Sequence, residues 1–261
     1  MKKILVPFDF TTTSVSALRF AIDLASKNND QVYVLNVIDL PLKQLEDESR
    51  NKFQLLQKKY GTHSTKIKFF VELGGIIATI QDFAAKNKVS QIVMGTHGAS
   101  GMKEVFVGSN TEKVVRSSTI PVWAIRKYVK VNSIKNIVLP TSIDLEENKF
   151  MNVVKDMQTS LKAKIHVLSV ITPNRFMIDA DIKKNLNIFK EYFKLTNVTL
   201  NIRNDFNEPD GIIRFTQEIK GSMIAMATHG RKGLAHWLSG SVTEDVVNHL
   251  ECPIFTYHSK G

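Results

Sequence analysis

Residues 95–110 read GTHGASGMKEVFVGSN, and residues 227–242 read ATHGRKGLAHWLSGSV. Aligned without gaps at an offset of 132, positions 96–115 and 228–247 agree at ten of twenty places, and every glycine in that window is shared. A period this long exceeds the roughly 20–50 residues of a solenoid unit and matches the roughly 100–150 residues of an ordinary domain. The chain therefore reads as two tandem copies of one domain, residues 1–130 and 131–261. They are joined near Lys127–Ser133 by a link short enough that the halves are expected to pack against each other.

Composition points to a soluble globular protein: 43% of the 261 residues are hydrophobic and 23% are charged, enough for two independent cores. The opening MKKILVPFDF carries an apolar patch that Pro7 and Asp9 interrupt well short of a signal sequence, and no apolar run reaches the roughly 18 residues of a membrane span. A single cysteine, Cys252, excludes an internal disulfide and fits a reducing compartment. A cytoplasmic protein that is not membrane-bound is expected. The net charge of +10 is spread over both copies without an Arg-rich, aromatic-interleaved run, so a solvated basic surface is expected rather than a nucleic-acid interface.

In the first copy, apolar runs at Ile4–Val6, Gln31–Ile38, Lys66–Val71, Gln91–Met94 and Val122–Ile125 read as strands. Between them lie helical patterns: Val15, Leu18, Ile22 and Ala25 behind cap candidates at Thr11–Ser14, then Leu42–Tyr60, Gly74–Asn87 and Ser109–Ser117. The second copy repeats this with strands at Ile137–Leu139, Ile165–Val170, Val198–Ile202, Met223–Met226 and Ile254–Tyr257. Gly75 to Gly98 spans 23 residues and Gly211 to Gly230 spans 19, so the third helix of the second copy is expected to lack about one turn. Strict alternation predicts an α/β fold: two doubly wound five-stranded parallel sheets with helices on both faces, strand order 3-2-1-4-5 in each.

That order puts strands one and four side by side, so the loops that follow them line one crevice at the switch point where ligands sit in such sheets. Gly95 and Gly98 permit tight turns and close backbone approach. Gly108 opens a helix whose first N–H groups favour an anion, with Ser109 and Thr111 as additional hydroxyl donors. Asp9, across the crevice, suits ribose hydroxyls or a metal ion, or else caps the helix that follows it. Together these make a nucleotide site. Neither the Walker spelling G-x-x-x-x-G-K-[ST] nor G-x-G-x-x-G occurs.

Gly95, Gly98, Gly108 and Ser109 fit the spacing G-x2-G-x9-G-[ST], and with Asp9 after strand one they resemble the nucleotide-binding members of the universal stress proteins. The resemblance covers nearly the whole chain as two such domains. It implies ATP bound with a divalent ion, adenine near the ends of strands one and two, and domains paired through their last strands. It places Pro7, Phe8 and Asp9 beside the nucleoside and Val37 against adenine. Met94, Gly95 and Gly98 then support ribose and phosphates, and Gly108, Ser109, Asn110 and Thr111 hold the phosphates. Asn110 stands where the family carries a small apolar residue. ADP or AMP fits the same glycine loop, which reads phosphates generically; Mg²⁺ is the expected ion.

The second copy keeps Gly230, Gly240 and Ser241 but carries Ala227 in place of Gly95 and Ser142 in place of Asp9, with Asp144 two residues on. A methyl at a close approach and a lost carboxylate each weaken binding by about 1–3 kcal/mol, so the nucleotide is expected mainly in the first domain. His97 and His229 have neither a carboxylate orienter nor a nucleophile beside them, and turn geometry accounts for them better than base catalysis. Trp123 is expected at an interface between the halves, Trp237 over the second glycine loop, and Cys252 as a buried thiol. The expected function is an ATP-binding, non-enzymatic stress regulator with an unidentified protein partner and a possible homodimer. The alternatives are a nucleotide-independent scaffold and, less favoured, a slow ATP hydrolase using Lys103 and Glu104.

Overall fold

Ile4, Leu5 and Val6 of β1 (Lys3–Pro7) have no solvent exposure, as expected of an unbroken apolar run at the centre of a parallel sheet covered on both faces. The computed structural model describes residues 1–60, 65–96, 109–173, 178–227 and 250–258. The chain divides into two units, with the sequence boundary between Val131 and Asn132.

The first unit continues with α1 (Thr12–Asn28), β2 (Gln31–Ile38), α2 (Lys43–Tyr60), β3 (Lys66–Leu73), α3 (Ile76–Lys86), β4 (Gln91–Gly95), α4 (Ser109–Ser117) and β5 (Val122–Ile125). β1 pairs in parallel with β2 and β4, β2 with β3, and β4 with β5. Read across, the order is β3-β2-β1-β4-β5, so the ends of β1 and β4 are neighbours. The second unit holds β6 (Asn136–Pro140), α5 (Asn148–Leu161), β7 (Lys164–Ile171), α6 (Asp179–Tyr192), β8 (Val198–Asn204), α7 (Glu208–Glu218), β9 (Ser222–Ala227) and β10 (Ile254–Tyr257). Its pairings, β6 with β7 and β9, β7 with β8, and β9 with β10, repeat the first set. No helix of the described residues is long and apolar enough to cross a membrane.

Two expectations require correction or refinement. α3 and α7 are the same length, 11 residues each, so no turn is missing from the third helix of the second copy. Gly75 is the N-cap of α3, and its counterpart at the N-cap of α7 is Asn207; Gly211 lies inside the helix, where a Cβ would meet Val170 Cγ1 at 2.6 Å. It is there to let α7 press on β7. Within its own unit Trp123 packs against Phe20 with ring centroids 5.2 Å apart and donates from Nε1 to Gln91 Oε1. Cys252 is only half-buried as a residue, yet burial of its thiol pushes the pKa up to about 12, which leaves it inert as a nucleophile near neutrality.

An aromatic cluster braces the loop after β1. Phe53 stacks on Phe69 at 4.3 Å, and Phe8 meets Phe10 at 4.9 Å and Phe53 at 6.1 Å, both edge-on. Phe10 holds a left-handed φ of 64°, a conformation unfavourable for a bulky side chain, and its ring contacts with Phe8 and Phe69 hold it there. α2 buries only Ser49 and Phe53, so Phe53 is its anchor. Phe53→Ala is expected to cost about 3 kcal/mol in urea unfolding and to raise amide exchange across α2; an unchanged midpoint would show that the cluster does not carry this helix.

Candidate functional site

The loop from Pro7 to Thr11 is held from three directions. Both backbone groups of Phe8 are taken by β2: its N–H donates to Leu35 O, and Asn36 Nδ2 donates to its carbonyl, each at 2.8 Å. Asp9 Oδ1 accepts from Thr11 N at 3.1 Å and from Thr11 Oγ1 at 2.6 Å. Thr11 Oγ1 in turn accepts from Ser14 N and makes Thr11 the N-cap of α1. A carboxylate only accepts, so the Thr11 proton goes to Asp9. Thr13 Oγ1, 3.2 Å from Thr11 Oγ1, is then the donor of that pair.

Across the crevice, Gly95 ends β4. A Cβ there would lie 2.5 Å from Thr13 C and 2.7 Å from Ser14 N, so glycine is required first by the first turn of α1. Thr111, on the first turn of α4, donates its hydroxyl to Gly95 O at 3.0 Å. Its one proton is spent, so it positions the start of α4 but brings no hydroxyl donor to an anion, contrary to the role expected for it.

These elements enclose a cavity of about 220 Å³. It brings together eight residues singled out in the sequence: Pro7, Phe8, Asp9, Val37, Met94, Gly95, Asn110 and Thr111. Ser109 begins α4. Gly98, Gly108, Gly230, Gly240 and Ser241 lie outside the described residues, as do His97, His229, Lys103, Glu104 and Trp237. The cavity is also lined by Thr11, Thr13, Ser14, Leu35, Ile76 and Ile80. Leu35 follows from Val37 by the two-residue period of a strand, and Ile76 and Ile80 are one helical turn apart, so all three were readable from periodicity. Thr11, Thr13 and Ser14 were readable only as caps.

The lining therefore combines an apolar set, Leu35, Val37, Ile76, Ile80 and Met94, with a polar set, Asp9, Thr13 and Asn110; Asn110 lies in the first turn of α4, whose dipole favours negative charge. Among the described lining residues there is no Lys, His or Cys, and no group of acidic, His or Cys side chains forms a metal cluster among the described residues. The profile of the universal stress protein family matches the chain twice, over residues 1–126 and 133–258. The chain belongs to the universal stress protein family.

Two universal stress proteins of Methanocaldococcus jannaschii are similar to one half of it. One is 31% identical over 145 residues, 48% of this chain and 82% of that protein; the other is 28% identical over 154 residues, 48% of this chain and 95% of that protein. The crystal structure of a universal stress protein from Archaeoglobus fulgidus matches in fold with a TM-score of 0.80 at 20% identity, covering 98% of each chain. A functionally unknown protein from Pseudomonas aeruginosa matches at 0.72 and 16% identity, covering 99% of this chain and 92% of that one.

The second domain of this universal stress protein departs at the same place. Glu147 occupies the N-cap of α5 without a side-chain capping bond. Burial first, and then the charge of Asp144, push its carboxyl from 4.5 up to about 7. A carboxyl raised in this way keeps its proton in the folded state after the unfolded chain has lost it, so stability falls as pH rises from about 4.5 to about 7. Glu147→Gln is expected to stabilise the protein by about 1–3 kcal/mol at pH 8 and to leave it unchanged at pH 4. Urea midpoints at the two pH values measure this, and an equal shift at both would contradict it.

Proposed function

We propose that the first domain binds an adenine nucleotide, ATP or its di- or monophosphate, and that occupancy makes the protein a non-enzymatic regulator in the stress response. The observation that carries this reading is the make-up of one cavity, in which the apolar set Leu35, Val37, Ile76, Ile80 and Met94 is gathered with a polar set, Asp9 and the start of α4. A flat base fits the first and an anionic phosphate chain suits the second. Asp9 is the cavity's one described carboxylate; ribose hydroxyls are its natural partners, and a divalent ion carried by the phosphates would find its ligands mainly on them.

Charge supports the same assignment. Residues 1–131 hold 19 Lys and Arg against 11 Asp and Glu, whereas residues 132–261 hold 16 against 14. The first domain therefore draws an anion through its field more strongly. Regulation follows by mass action: a ligand at 100 times its Kd stabilises the state that binds it by about 2.7 kcal/mol. The protein partner that reads this state is a component of the proposal.

Thermal unfolding with and without ATP and Mg²⁺ tests the reading. The Tm is expected to rise by several degrees with nucleotide. Val37→Phe, which fills the apolar side, is expected to weaken binding at least tenfold, about 1.4 kcal/mol, without loss of helical signal. No Tm change with ATP, ADP or AMP would remove the proposal, and steady phosphate release abolished by Asp9→Asn would replace it with a hydrolase.

A further inference from the structure

The two domains share one local geometry and then part. β1 and β6 both end on proline, Pro7 and Pro140, and the third residue beyond each, Phe10 and Ile143, has φ of 64°. In this common register Thr11, Thr13 and Ser14 of the first domain correspond to Asp144, Glu146 and Glu147 of the second. α1 begins at Thr12 under the Thr11 cap, whereas α5 begins at Asn148, the counterpart of Val15. The second helix therefore starts three residues, almost one turn, later.

The cause lies at the end of the neighbouring strand. Room for a Cβ at Gly95 is denied by the backbone of Thr13 and Ser14, which cannot give way as the tip of a flexible side chain can. In the second domain the equivalent strand, β9, ends on Ala227, buried at 2% exposure. A first turn seated as in α1 would meet that methyl, so the helix starts beyond it. Two losses follow for an anion. The helix N-terminus and its N–H groups are withdrawn by a turn, and three hydroxyl positions that line the first cavity become three carboxylate positions. Glu147 registers burial first and then the charge of Asp144, both of which raise its carboxyl.

We propose that Ala227, with Asp144, Glu146 and Glu147, closes the second domain to polyphosphates, so that the chain takes one nucleotide, in its first domain. This rests on the reading of the first cavity as a nucleotide site. The residues act by position and by charge: the methyl sets where α5 begins, and the carboxylates repel what the hydroxyls of the first domain tolerate.

Calorimetric titration of the full chain with ATP and Mg²⁺ tests it, with circular dichroism to establish that each variant is folded. The wild type is expected to bind one equivalent, and the D144T/E146T/E147S/A227G variant two. Two equivalents in the wild type, or no gain in the folded variant, would overturn the proposal. Zero in the wild type would instead remove the reading of the first cavity, and the variant, then expected at one equivalent, still decides this inference alone. If the fourfold variant does not fold, A227G serves: amides of residues 148–150 are expected to gain at least tenfold protection from hydrogen exchange as the helix extends toward Asp144. Unchanged exchange there would overturn the steric argument.

Discussion

A glycine backbone at position 95 lies so close to the backbone of Thr13 and Ser14 that one additional carbon has no room. This contact places the end of β4 against the start of α1, and Thr111 then hangs the first turn of α4 from the carbonyl of the same glycine. Two helix N-termini are thereby gathered around one residue. A helix N-terminus carries unpaired N–H groups and a positive field, so convergence of two of them makes a place that favours an anion before any side chain takes part.

The loop after β1 is held by a different force. Phe8 and Phe10 are fixed by Phe53 and Phe69, and the backbone of Phe8 is bonded on both sides by β2. The cluster supports the left-handed backbone at Phe10, which turns the chain sharply enough for Asp9 to reach Thr11. Asp9 therefore serves the fold and faces the cavity at once. Of the two alternatives for it, helix capping falls to Thr11, whose hydroxyl accepts from Ser14 N; Asp9 Oδ1 braces that cap while the residue lines the cavity.

Duplication makes the chain its own control. Both copies keep the strand order, the closing proline and the left-handed residue three positions on. Among their differences are the methyl of Ala227, the carboxylate lost at Ser142 and the charge of Asp144, Glu146 and Glu147, and the helix of the second copy starts later. Fold and site are separable for this reason: burial of strand residues tolerates many apolar side chains, whereas a backbone contact under 3 Å tolerates no added atom.

By itself the sequence determined the duplication, the alternation of strands and helices, and the adjacency of the ends of β1 and β4. Those features are written in local periodicity and in spellings that recur at a constant offset. It also named Pro7, Asp9, Val37, Met94 and Asn110 around one cavity, since a parallel sheet sends the ends of adjacent strands to one place. Only the tertiary structure decided what Gly95 and Gly211 accommodate, because a missing Cβ looks the same in sequence whether it faces a ligand, a helix or a strand. It also decided the equal length of α3 and α7, and the use of the Thr111 hydroxyl on a carbonyl. The glycine contacts and the Thr111 bond join segments far apart in the chain, and no local pattern encodes such distances, whereas the start of α7 rests on the local cap Asn207, which the glycine spacing concealed.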